Sequence, residues 1–296
     1  HEIAQHTSLE ILARQMVEGF ITGMHKSPYH GFSVEFAEHR LYNDGESTRH
    51  IDWKVYARTD RLFTKRYEEE TNLRCLIAID VSPSMFYPVE SKSKLRFSIY
   101  AASALAYLLH RQRDAVGLCL FSDSIRTITP IKSTPTHLDK MFTLLENLSE
   151  EKPPTGNTRV SAVLHEVAEK IHKRSLVIIF SDMFDGNEQT DDLFKALQHL
   201  KHNKHEVIVF HVTDQQTELQ FDFEDRPMEF IDLETQEKIK LNPADVKQHY
   251  RAEAERFYRS LKLRCNQYKI DFVESDVRSD FNTVLQTYLI KRAKMR

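Results

Sequence analysis

Short, uninterrupted apolar runs along this chain alternate with longer stretches in which apolar residues recur every three or four positions. The runs at 75–79, 115–121 and 176–180 predict strands buried on both faces, because a strand covered on one face would alternate with polar residues. Residues 206–212 and 270–273 add two more strands. Helical spacing predicts helices over 94–110, 136–148, 159–172, 191–200, 245–266 and 281–291, the first carrying Phe97, Ala101, Ala104, Leu105 and Leu108 on one face. A short strand at 124–130 follows the one ending at Phe121 so closely that only an antiparallel hairpin can join them. The alternation of strand and helix predicts an α/β fold, a doubly wound and mostly parallel sheet with one antiparallel edge strand. Between 213 and 241 the pattern breaks into a small β excursion, with segments 228–233 and 238–241 bracketing residues 234–237.

The first 72 residues read differently. A helix over 8–23 presents Ile11, Leu12, Met16 and Phe20, with Val17 and Ile21 at the edge of the face, Ser8 as N-cap and Gly19 and Gly23 toward its end as terminators. Beyond it, Phe32, Val34 and Phe36 alternate as a half-buried strand would. Residues 1–72 are therefore expected to form an N-terminal helix-and-strand segment, and residues 73–296 the larger α/β domain.

Chemistry is expected where the strands end. The run 75–79 stops at Asp80-Val-Ser82-Pro-Ser84, and Asp80 is the first group in it that is costly to bury unpaired. One carboxylate and two hydroxyls converging beyond a strand are hard oxygen donors of the kind that suit Mg²⁺, Ca²⁺ or Mn²⁺. The run 176–180 ends alike, in Ser181-Asp182-Met-Phe-Asp185, and a loop rich in breakers, Pro153-Pro-Thr-Gly-Asn-Thr158, delivers Thr158 to a helix start. In open α/β sheets ligands bind beyond the carboxyl ends of strands. Asp123 and Asp185 are explained by turn and loop solvation.

Asp80-x-Ser82-x-Ser84 resembles the metal-ion-dependent adhesion site of von Willebrand factor A domains. Upstream, Tyr42-Asn-Asp-Gly45-Glu-Ser-Thr-Arg49-His-Ile51-Asp52-Trp53, followed by Ala57-Arg58, resembles the signature of domain-of-unknown-function family 58. Asp44 departs from the proline usual there, and Glu46 from the aspartate. The resemblance spans about residues 8–296 and implies that the strands ending at Asp80 and Asp182 are neighbours. It further implies that Ser82 and Ser84 are direct metal ligands, that Asp80 and Asp182 bind directly or through water, and that Thr158 is the loop ligand, with Thr155 as its substitute. Mg²⁺ is the implied cofactor, ahead of Mn²⁺ or Ca²⁺, and an acidic side chain of a client protein is implied to complete its coordination. The family's association with MoxR-type AAA+ ATPases implies an adaptor or assembly role, chaperone-like in character.

Composition narrows the alternatives. With 41 basic and 44 acidic residues the net charge of the 296-residue chain is -3, which gives no reason to expect nucleic acid or an anionic membrane as partner. Arg49, Lys54, Arg58, Arg61, Lys65 and Arg66 are interleaved with Trp53, Tyr56 and Tyr67, but Asp44, Glu46, Asp52, Asp60 and the acidic run 68–70 offer them internal partners. Arg49, Asp52, Trp53 and Arg58 are thus expected to form a fixed polar network, structural or at an interface. No apolar run is long enough to predict a membrane span, and the residues from His1 lack the pattern of a signal peptide. The start at His1 leaves room for residues upstream. Cys75, Cys119 and Cys265 lie far apart in apolar segments, the usage of reduced thiols, so cytoplasm is the expected compartment.

Seven glycines form neither a dinucleotide fingerprint nor a P-loop. Ser82 lacks a G-x-S-x-G elbow. His165-Glu166 begins like a zinc-protease helix, but Glu169 stands where the second histidine is needed. His199, His202 and His205 have the spacing to chelate a metal, but their place between a helix and a strand favours a solvated connection. Binding is therefore expected rather than catalysis. The enzymatic alternative is a magnesium-dependent phosphatase or phosphotransferase using Asp80.

Overall fold

The computed structural model describes residues 8–25, 39–41, 56, 58, 63–65, 73–89, 91, 93–154, 159–183, 190–278 and 282–295. The chain divides into two compact units, His1–Phe20 with Leu73–Arg296, and Ile21–Asn72.

The larger unit is built on strands β3 (Arg74–Asp80), β4 (Ala115–Phe121), β5 (Ile125–Ile128), β6 (Leu176–Ser181), β7 (Glu206–Thr213) and β10 (Asp271–Asp276). They form one sheet in the order β10-β7-β6-β3-β4-β5, parallel throughout except for the antiparallel edge pair β4 and β5. The interior strands are apolar on both faces because both faces are covered: every residue of β3 from Cys75 to Asp80 is buried. Leu76, Ala78, Val177, Ile179, Val207 and Val209 face one layer of helices, made of α4 (Val160–Lys170), α5 (Thr190–His202) and α6 (Pro243–Gln267). Cys75, Ile77 and Ile79 point the other way by the alternation of strand side chains. On that side α2 (Ser93–Arg111) meets β3, β4 and β7, and packs beside α3 (Pro135–Glu150) and α7 (Asn282–Met295).

The excursion after β7 is present as β8 (Met228–Ile231) and β9 (Lys238–Leu241), an antiparallel pair. Phe221 packs against Phe230 and Tyr250, which ties the pair to α6.

Helix α1 runs over Leu9–His25, and two readings of it are corrected. Its buried row is Leu9, Ala13 and Val17, spaced by four, whereas Ile11 is half exposed. The small Ala13 lets the helix approach closely, so the face centres on Val17 instead of placing it at the edge. Gly19 does not end the helix, which continues to His25. The amide of Leu9 donates to Glu146 Oε1 at 3.0 Å, giving one orphan donor of the first turn a partner on α3.

The smaller unit contains the antiparallel pair β1 (His39–Leu41) and β2 (Phe63–Lys65). The expected strand at Phe32, Val34 and Phe36, and the residues Arg49, Asp52 and Trp53, lie outside the described residues. Arg58 is exposed.

Candidate metal centre

Asp80 closes β3 and Ser181 closes β6, and the two strands are hydrogen-bonded neighbours with Ile79 opposite Phe180. From β3 the chain leaves toward β4 on one side of the sheet and later returns through β6 on the other, so these ends flank the point where the strand order reverses. The juxtaposition of Asp80 and Asp182 that the resemblance implied is therefore a property of the fold.

Beyond β3 the chain turns at once into a single 3₁₀ turn, Pro83–Phe86, with proline at its first position. Ser82 precedes that turn in extended conformation and does not cap it. Its hydroxyl instead lies 3.1 Å from the Ser84 hydroxyl. The carboxylate of Asp80 is completely buried. Its Oδ1 accepts the amide of Ser82 at 2.9 Å and its Oδ2 accepts the hydroxyl of Ser181 at 2.7 Å. Ser181 Oγ in turn accepts the amide of Met183 at 2.8 Å. Burial, and then the nearby charge of Asp182, pushes the Asp80 carboxyl up to about 7.

A cation is already built into this edge. Lys94, in the first turn of α2, is fully buried, and its Nζ donates to Asp182 Oδ2 at 2.9 Å and to Glu218 Oε1 at 2.6 Å. Glu218 sits on a wide turn, Gln215–Leu219, that follows β7, and its other oxygen accepts the Asp214 amide at 2.8 Å. Burial lowers the Lys94 pKa, but the two carboxylates outweigh it and the ammonium is held charged. Burial raises Glu218 against the opposing pull of Lys94. His211, opposite Ser181 on β7, is buried against Tyr258 and Phe272. Its ring is pushed down to about 4, chiefly by burial, and its Nδ1 has no hydrogen-bond partner among the described residues.

The donors fit a hard divalent cation. Oxygens at neighbouring corners of an octahedron with bonds of about 2.1 Å stand roughly 3 Å apart, which is the spacing of the Ser82 and Ser84 hydroxyls. Two carboxylates drawn together in a buried corner, one of them resisting ionisation, are the electrostatic arrangement that a divalent charge relieves. Asp80, Ser82, Ser84 and Asp182 would hold it. Thr158 and Asp185 lie outside the described residues. Asp123 accepts the hydroxyls of Ser122 and Ser124 within its own hairpin.

Sequence reasoning gave Ser181 no role beyond its place in the oxygen-bearing end of the strand, and missed Lys94 and Glu218. A usable signal existed for Lys94, which stands three and four residues before Phe97 and Ser98 and so on the buried face of its helix. The histidine reading also needs correction. His205 is fully buried, and only His199 and His202 belong to the last turn of α5. His199 reaches His165 Nδ1 at 3.0 Å and Glu169 at 2.8 Å, and this pair braces α4 against α5.

The sheet order defines a doubly wound, mostly parallel α/β protein with one antiparallel edge strand. The chain belongs to the family described as Protein of unknown function DUF58, whose match spans residues 38–260. Uncharacterized proteins of Mycobacterium bovis and Mycobacterium tuberculosis are 23% identical over 207 residues, which is 70% of this chain and 63% of theirs. The chain thus matches less than two thirds of the length of these relatives. Among solved structures, the conserved hypothetical protein BatB from Bacteroides thetaiotaomicron aligns with 75% of this chain and 99% of its own, at 15% identity and a TM-score of 0.45. A von Willebrand factor type A protein from Catenulispora acidiphila aligns with 51% of this chain and 34% of its own, at 16% identity and a TM-score of 0.37. An aerotolerance-related membrane protein from Bacteroides fragilis aligns with 73% of this chain and 96% of its own, at 16% identity and a TM-score of 0.45. Among the described residues no helix is long and apolar enough to cross a membrane.

Proposed function

We propose that the chain is a protein-binding module that recognises an acidic side chain through a divalent cation, Mg²⁺ foremost, held by Asp80, Ser82, Ser84 and Asp182, with Thr158 as the loop ligand. The observation that carries this reading is the meeting of two serine hydroxyls 3.1 Å apart with a buried aspartate that resists ionisation beside a second one. When bound, the cation supplies a Lewis-acid position for an incoming carboxylate. The chain's own part is to hold the ligands in place: Ser181 and the Ser82 amide fix both oxygens of Asp80. A cytoplasmic adaptor or assembly role beside a MoxR-type AAA+ ATPase, with hydrolysis on the partner, is part of the same proposal and is supported by the resemblance of the signature from Tyr42 to Arg58.

Phosphoryl transfer using Asp80 is the weaker reading. A nucleophilic carboxylate must itself contact substrate, and Asp80 is completely buried, whereas a metal ligand needs only a second lone pair on an oxygen that already accepts one hydrogen bond, or a bridging water. The two readings separate in one experiment, with a MoxR-type ATPase co-purified in Mg²⁺ or in chelator and a generic phosphate ester assayed alongside. Association lost in chelator, restored by Mg²⁺ and weakened by Thr158→Ala supports the adaptor. Asp80-dependent turnover of the ester overturns it.

A further inference from the structure

Lys94 and Glu218 stand outside the expected ligand set, yet they decide its charge. With Asp80 ionised, as a bound cation would require, Asp80, Asp182 and Glu218 are three carboxylates against one ammonium, which leaves the cluster formally at two negative charges, the complement of one divalent ion. Without Lys94 it would stand at three. The ammonium lies 2.9 Å from Asp182 Oδ2, the carboxylate that a metal at this edge also needs. A buried ammonium and a divalent cation make the same demand, anionic oxygen in a corner from which water is excluded.

Glu218 gives the ammonium somewhere to go. Its Oε1 accepts Lys94 at 2.6 Å while its Oε2 is anchored by the Asp214 amide, so a full ion pair survives if Asp182 is given up. The aromatic ring of Tyr87, 5.9 Å from Nζ, lines the same side. The wide turn that carries Glu218 leads into the β8–β9 excursion and touches α6.

We infer that Lys94 is a built-in rival to the metal: its ammonium holds Asp182 when no cation is bound and passes to Glu218 when one is, which weakens divalent binding and ties the state of the site to the turn after β7. This rests on the metal reading above. Lys94 is a positioning residue, and its role predicts an effect on affinity that a merely structural lysine would not have.

The test is a titration of the full chain with Mn²⁺ alone, followed by calorimetry and by melting temperature, on the parent, Lys94→Met, Glu218→Gln and the double substitution Asp80→Ala with Ser82→Ala. Removing the rival charge should tighten Mn²⁺ binding by about tenfold or more, since a unit charge a few ångströms away is worth at least that in a buried site. In chelator Lys94→Met should melt about 5 °C or more below the parent, and Mn²⁺ should recover more of its stability than of the parent's. Glu218→Gln keeps the ammonium but commits it to Asp182, so it should bind Mn²⁺ several-fold more weakly, an outcome that can be read even if Lys94→Met does not fold. Parent binding of Mn²⁺ with no gain in Lys94→Met, or with no loss in Glu218→Gln, overturns the rivalry and leaves the metal site standing. Binding in none of the chains, or binding indifferent to the loss of Asp80 and Ser82, overturns both.

Discussion

Lys94 and Asp182 are separated by 88 positions in the chain and meet at 2.9 Å, one fully buried and the other nearly so. A buried ion pair of this kind is weak evidence of net stabilisation, because desolvating two charges offsets most of their attraction. Its members are nonetheless costly to lose singly, and unequally so here.

In chelator, Lys94→Met should destabilise the fold by about 3–5 kcal/mol, the usual cost of leaving a buried charge uncompensated. Asp182→Asn should cost less, about 1–2 kcal/mol, because Lys94 keeps Glu218 and Asp80 is relieved of a neighbouring negative charge. Denaturant unfolding of both variants checks the order, and an Asp182→Asn loss as large as that of Lys94→Met would remove Glu218 from the account.

Gly117, within β4, tests the packing of the sheet edge. A Cβ there would meet Ile131 at 3.0 Å and the carbonyl oxygens of Thr129 and Pro130 at 3.2 and 3.3 Å. Two of these neighbours are backbone and cannot yield cheaply. Gly117→Ala should therefore cost about 1–3 kcal/mol while metal affinity is unchanged, measured by unfolding and by titration.

The acid side of the stability curve should carry His205. Its Nδ1 accepts the Ser175 amide at 3.3 Å and burial holds its pKa below the ordinary range. The folded pKa is thus below the unfolded one, about 6.5, so the unfolded chain binds the proton first. Stability from this group is complete above about pH 6.5 and drains as pH falls below it. Thermal melts in chelator at several pH values should show the parent losing more on acidification than His205→Asn, and parallel curves would contradict the assignment.

Asp80 should act with the opposite sign. Its folded pKa of about 7 lies above that of an unfolded aspartate, so between the two the native state holds a proton that the unfolded state has released. Its contribution is greatest at acid pH and declines as pH rises toward 7. Asp80→Asn should remove that decline in chelator, and an unaltered slope in the melts would mean that the carboxyl ionises normally in the fold.

The sheet was legible because buried parallel strands leave an apolar run with sharp ends: the run at 115–121 coincides with β4, and the brevity of the connection to β5 required the antiparallel edge. Asp80, Ser82 and Ser84 were legible because oxygen-bearing residues end such a run. That Asp182 lies beside Asp80 was not, since periodicity carries no strand order and the neighbour relation came through resemblance. Lys94 escaped because a lysine in a helix normally marks the solvated face, and its partners, the buried Asp182 and the partly exposed Glu218, lie far from it in sequence. Glu218 lies in an aperiodic turn whose position is set by the end of β7. Helix α1 was read from its largest side chains, whereas Ala13, the smallest, sits in the contact row.

The central claim is that Asp80, Ser82, Ser84 and Asp182 hold one divalent cation, and calorimetric titration with Mg²⁺ or Mn²⁺ tests it most directly. The account predicts one site per chain in the parent, abolished when Asp80→Ala and Ser82→Ala are combined and strongly weakened by Asp182→Ala. A parent that binds neither ion, or a doubly substituted chain that binds as the parent does, would contradict it.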